Sequence, residues 1–209
     1  MQKVLISQYR EIWRFLKANW LMIAFTVLLL VEVAVFHGLN TDGSGRYADY
    51  AASTESRYGY VFLFIFCENL KTAALTVAVG LIPLFLGPMF AATATLGGIV
   101  AALKYLLLEL TPSVIFLCVL PHGVFEWSAI LLTFSLSVIL SKEVTCFCLR
   151  LVGLNSKIPI PGSVCGLRDT AAMTIQCWLL VVLPLLLAGA AMEVTLSPLI
   201  TKFLLPPGG

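Results

Sequence analysis

Charge is scarce in this chain. Only 11% of its 209 residues are Asp, Glu, Lys or Arg, against about a quarter in a soluble domain. There are two histidines. No Gly-x-Ser-x-Gly, no pair of intramembrane aspartates, no second histidine suited to a metalloprotease and no nucleotide-binding loop is present, which argues against the corresponding hydrolases and NTPases. The six cysteines (Cys67, Cys118, Cys146, Cys148, Cys165, Cys177) fit no disulfide framework, and most fall in apolar runs, where cysteine acts as a small hydrophobe. Cys146-x-Cys148 with Cys165 has no histidine beside it, so packing is a better account of it than zinc.

What is abundant is apolar sequence: 60% of the chain is hydrophobic and mean hydropathy is +0.99. The composition implies an all-α integral membrane protein, a single bundle of about five transmembrane helices with no room for a separate soluble domain. Residues 1–18 form a first segment, 19–200 the bundle and 201–209 a short tail. Residues 1–18 carry Lys3, Arg10, Arg14 and Lys17 against Glu11, with Leu5, Tyr9, Ile12, Leu16 and Trp20 at helical spacing. That pattern reads as a basic amphipathic helix on the cytoplasmic face, or as a helical lead-in to the first span. It does not read as a cleaved signal, because the apolar run that follows is too long.

The spans are expected at 19–39, 60–86, 88–110, from 111–113 to about Leu140, and 170–197. Pro83, Pro121 and Pro184 should kink or break three of them, since proline removes a helix hydrogen bond. Thr93, Gly97 and Ala101 offer the third span a small-residue packing face. A polar loop from Asn40 to Tyr58 joins the first two spans. Lys142, Glu143, Arg150, Lys157 and Arg168 mark a second loop, which includes the extended stretch Ile158 to Gly162. Basic residues gather in the amino-terminal segment and that second loop, whereas the 40–58 loop and the tail hold Arg46, Arg57 and Lys202. Five spans therefore place the amino terminus inside and the carboxyl terminus outside.

Polar residues interrupt every span. Pro121-His122-Gly123-Val124-Phe125-Glu126 puts a proline, a glycine, an imidazole and a carboxylate inside an apolar run. Pro121 and Gly123 loosen the helix there, and His122 and Glu126, four apart, share one helix face. Counting depth at ~1.5 Å per residue puts Glu32, Glu68, Asn69, Lys104, His122, Glu126 and Glu193 in the same outer half of the membrane, with Lys71 near mid-depth. Each isolated intramembrane charge costs at least ~2.5–3.5 kcal/mol, so these groups should turn inward and meet. The candidate cluster is His122, Glu126, Glu68, Asn69, Glu193 and Lys71. It could be an inert network that fixes helix register, or a site that conducts, couples or catalyses. His122, Glu126 and Glu193 could ligate zinc, but a single intramembrane histidine argues against it. No catalytic residue, metal or other cofactor is expected.

The chain resembles the stage II sporulation protein M family of polytopic membrane proteins. Leu120-Pro121-His122-Gly123-Val124-Phe125-Glu126, with Ala129 after it, looks like the family's Pro-His-Gly-x-x-Glu segment. Phe66-Cys67-Glu68-Asn69-Leu70-Lys71 looks like its Phe-x-x-Asn motif, and Ala190-Ala191-Met192-Glu193 with Pro198 is similar to its closing Ala-Ala-x-x-Glu segment. The matches keep the family's order over roughly residues 60–200. The chain departs from the pattern at Gly97-Gly98, where Asn-Gly is usual, and at Ser135-Leu136-Ser137, where glycines are usual. The resemblance implies a non-enzymatic, multi-pass cell-membrane protein that works with other proteins, as in forespore-engulfment peptidoglycan remodelling or circular-bacteriocin maturation and secretion. Two functions follow as expectations: a scaffold or anchor in a membrane complex, or a transporter or channel component using the His/Glu cluster. Partners would be membrane lipid and other membrane proteins, a homo-oligomer being a further option, and no nucleic acid.

Overall fold

A computed structural model describes residues 2–40, 58–109, 111–153 and 166–204, and every element in them is helical. The order is α1 (Gln2–Ala18), α2 (Trp20–Asn40), α3 (Tyr58–Val79), α4 (Leu86–Glu109), α5 (Pro112–Leu151), α6 (Leu167–Cys177), a π-helical turn (Trp178–Val182) and α7 (Leu183–Leu204). Among the described residues, five stretches are long and apolar enough to cross a membrane: Trp20–Asn40, Phe62–Val79, Leu86–Leu108, Val119–Leu151 and Leu167–Leu196. The protein is an all-α membrane bundle. The 40–58 loop beyond Asn40, Lys157, the Ile158–Gly162 stretch, Cys165 and the end of the tail lie outside the described residues.

The organising helix is α5. It packs against α2, α3, α4, α6 and α7, and residues 133–143 are buried without interruption. It divides the apolar core in two. On one side Phe134 meets Leu29 and Val33 of α2 and Ala92 and Leu96 of α4. On the other, Ala129, Leu136 and Ile139 pack with Ile12 and Phe15 of α1, Ala73 of α3, Cys177, Val182 and Leu186. The amino-terminal helix therefore does more than lie on a surface: Ile12 and Phe15 enter the core, while Trp13 stays exposed.

Three sequence expectations need correction. First, the helix of the fourth span does not stop near Leu140, where a loop was expected to begin. It runs for 40 residues to Leu151, ~60 Å, twice the ~30 Å hydrocarbon thickness. Lys142 and Glu143 lie inside it, buried, with Lys142 Nζ 3.2 Å from Glu143 Oε1. The two charges pair with each other inside the packed bundle. Second, the span expected to kink at Pro83 ends outright at Val79. Residues 80–85 leave the helix, and Leu84 and Phe85 take left-handed backbone angles, φ 61° and 60°, which costs a non-glycine residue about 1–2 kcal/mol. Third, α4 buries Ala91, Ala92 and Leu96 rather than the Thr93 face. In the expected small-residue row, Gly97 makes a close approach, where a Cβ would lie 2.9 Å from the His37 ring.

The break is held by hydroxyls of α5. The Gly80 amide donates to the Val77 carbonyl at 3.0 Å, leaving the Thr76 carbonyl to accept from Ser137 Oγ at 2.6 Å. Ser141 Oγ donates to the Ile82 carbonyl at 2.6 Å and accepts from the Phe85 amide at 3.0 Å. Thr145 Oγ1 accepts from the Leu84 amide at 2.7 Å. Backbone groups that a membrane-embedded break would leave orphaned are thus partnered. Thr133, Ser137, Ser141 and Thr145 are each four apart, a polar stripe on one face of α5.

The other prolines behave differently. α5 stays helical through Pro121. Near Pro184 the chain makes the π-turn, with the Leu183 amide donating to the Trp178 carbonyl five residues back. Pro184 has no amide to offer the Leu180 carbonyl, four residues back. Tyr9 Oη of α1 donates to that carbonyl instead, at 3.1 Å, which docks α1 against the last span.

Candidate intramembrane polar site

Continuing the hydroxyl stripe of α5 towards its amino terminus leads to Glu126 and His122, seven and eleven residues before Thr133. Glu126 faces a cavity of about 540 Å³ between α3, α4, α5 and α7. Glu68, Asn69, Thr72 and Thr76 of α3 line it, with Thr95 and Gly98 of α4, Glu126 and Thr133 of α5, and Glu193 of α7.

Asn69 fixes the carboxylate: its Nδ2 donates to Glu126 Oε1 at 2.8 Å. Gly189, one turn before Glu193, gives the carboxylate stem its room. A Cβ at Gly189 would lie 2.8 Å from Glu126 Cγ. His122, Glu126 and Glu193, all half-buried, each bring one imidazole nitrogen or carboxylate oxygen within 4.8 Å of the others. Among the described residues, no lysine or arginine lines the cavity. Two carboxylate charges at that separation repel by about 3–4 kcal/mol even at an effective dielectric of about 20. The arrangement therefore accommodates a proton or a cation between the two glutamates.

The structure thus brings together His122, Glu126, Asn69 and Glu193, with Glu68 at the cavity wall. Lys71 stays outside. Its Nζ lies 3.5 Å from Glu68 Oε1, with the two side chains 74% and 48% exposed, so the pair runs along the outer surface of α3. Glu32 is exposed on α2, and Lys104, half-buried on α4, is not in the lining. Pro121 and Gly123 sit beside His122 in continuous helix. Sequence reasoning missed Gly189 and the Thr133–Ser137–Ser141–Thr145 row. The signal for the first was a small residue four before Glu193, and for the second the four-residue spacing itself.

Residues 19–198 match the family model for stage II sporulation protein M. The chain belongs to the stage II sporulation protein M family. No curated protein and no solved structure gives a significant match. The three segments that resemble the family's motifs lie on α3, α5 and α7. In this stage II sporulation protein M family member they converge on one place, since Asn69, Glu126 and Glu193 all face the same cavity. Gly97, where the chain departs from the family pattern, lies instead against His37. Ser137, at the other departure, donates to the Thr76 carbonyl, so a hydroxyl takes a structural part there.

Proposed function

We propose that this protein is a non-enzymatic component of a multiprotein assembly in the cell membrane, acting as a scaffold or anchor for partner proteins. Membership of the stage II sporulation protein M family supports it. The observation that carries it is how α5 uses its polar side chains. Glu126, Ser137, Ser141 and Thr145 each bond to α3 or to the break after it. The polar groups hold helices in register, leaving outer faces such as Leu28, Val31 and Val35 of α2 and Leu63 and Leu75 of α3 to lipid and partner helices.

A second reading has its own observation. A carboxylate-lined cavity within the bundle suits a substrate, ion or proton site in a transport component, because intramembrane ionisable groups often mark such paths. Two measurements separate the readings. The tagged chain, extracted from native membranes in mild detergent, should bring stoichiometric membrane-protein partners with it. The purified chain alone, in sealed vesicles, should pass no protons or cations. Flux through the chain alone that disappears in Glu126→Gln would overturn the scaffold reading in favour of transport.

A further inference from the structure

A single histidine in the cluster argues against a metal when residues are read one at a time. The fold alters that argument, because it supplies the other ligands from two helices at once. We propose that His122, Glu126 and Glu193 bind one divalent transition-metal ion of the zinc class, which joins α5 to α7.

One ligand atom from each residue already lies within 4.8 Å of the other two. Zinc bonds of about 2.0–2.2 Å place tetrahedral ligand atoms roughly 3.4 Å apart, so closure needs only small side-chain rotations. The imidazole and one carboxylate come from a single helix face at i and i+4, and the second carboxylate from the neighbouring helix. Three protein ligands leave a fourth position for water from the adjoining cavity. An ion of charge +2 also balances Glu126 and Glu193, which have no lysine or arginine beside them in the cavity wall among the described residues.

Ligand chemistry selects the ion. Calcium and magnesium take six or more oxygens, whereas one imidazole nitrogen with two carboxylates suits zinc, cobalt or manganese. Asn69 supplies outer-shell support, donating to Glu126 Oε1 at 2.8 Å and so aiming the other carboxylate oxygen. Gly189 admits the carboxylate stem between the helices, since any Cβ there would press on Glu126 Cγ. The inference does not depend on which partners the chain assembles with, and it holds under either functional reading.

The test uses the full chain, purified in detergent and stripped with a chelator. Co²⁺ is titrated in while its visible absorption is followed, and Zn²⁺ is then added. About one equivalent of Co²⁺ should bind with the strong bands of low coordination, and Zn²⁺ should displace it. Mg²⁺ and Ca²⁺ should not. His122→Gln, Glu126→Gln and Glu193→Gln should each weaken Co²⁺ binding roughly tenfold or more, while Glu32→Gln, on an exposed face of α2, leaves it unchanged. Should any of these variants fail to elute as a folded species, the wild-type melting temperature with and without Zn²⁺ decides, a rise being expected. Wild-type chain that binds neither ion and melts alike in both conditions overturns the proposal. So does binding that survives Glu193→Gln but is lost when the cysteines are alkylated.

Discussion

Gly80→Ala is the sharpest test of how α3 is held. Gly80 is the first residue after α3 and is buried against α5. An added Cβ would stand 2.7 Å from the Ser137 carbonyl oxygen, 2.9 Å from Ser137 Cα and 2.9 Å from Ser137 Oγ. Two of those atoms are backbone of the most buried stretch of the bundle, so the side chain cannot simply rotate away. The end of α3 must lift off α5. Overpacking of this kind costs about 1–3 kcal/mol. The lift also stretches the Ser137-to-Thr76 and Ser141-to-Ile82 hydrogen bonds, both 2.6 Å, at about 0.5–1.5 kcal/mol each. The combined loss is about 2–6 kcal/mol, a large part of a total stability of about 5–15 kcal/mol. Thermal or denaturant unfolding in detergent, read by tryptophan fluorescence, measures it. Ser137→Ala alone should cost about 0.5–1.5 kcal/mol and should not rescue Gly80→Ala, since the backbone contact remains. Gly98→Ala is the control, because nothing lies within 4 Å of its added Cβ. Gly80→Ala melting with the wild type would refute this account of the break.

Other substitutions follow from the same geometry. Lys142→Met strands Glu143 in a buried site and should cost about 3–5 kcal/mol, whereas the double variant Lys142→Met/Glu143→Leu should cost less, as a double-mutant unfolding cycle would show. Asn69→Leu leaves Glu126 Oε1 without its donor and should destabilise by about 1–3 kcal/mol, measured by the same unfolding. Tyr9→Phe removes the donor to the Leu180 carbonyl and should loosen α1, raising proteolytic cleavage of the amino-terminal helix while the spans stay intact. The basic-residue asymmetry predicts an extracytoplasmic loop between α2 and α3; labelling of Ser44→Cys, on a cysteine-free background, from the cytoplasmic side alone would contradict that orientation.

Much of the bundle was legible because lipid imposes length. Runs such as Trp20–Asn40 and Leu86–Leu108 have no other stable home than a spanning helix. What failed was anything set by a distant partner. Lys142-Glu143 looks like the start of a loop when read locally, yet the two stay helical and pair with each other, buried, within α5. Gly80, Pro83 and Gly87-Pro88 signal a disturbance, but a full break rather than a kink depends on Ser141 and Thr145 of α5, near 60 residues away. The buried face of α4 could not be chosen between Ala92 and Thr93, because a helix apolar all round carries no amphipathic signal. At the site, the i and i+4 relation of His122 and Glu126 was written in the sequence. The meeting of Asn69 with Glu126 followed from comparing depths. Depth alone set Lys71 in the cluster, but depth says nothing about azimuth; its three-residue spacing from Glu68 is the relation the structure uses.

The proposed scaffold role requires the chain to hold partner proteins together in the membrane. The direct measurement is the protein complement and stoichiometry recovered with the tagged chain from native membranes, for wild type and for Glu126→Gln at equal abundance. Glutamine keeps an oxygen for Asn69 to donate to, so a scaffold should bring a defined set of membrane-protein partners in both samples. A chain that purifies alone, or a Glu126→Gln protein that keeps its partners while cellular function is lost, would contradict it.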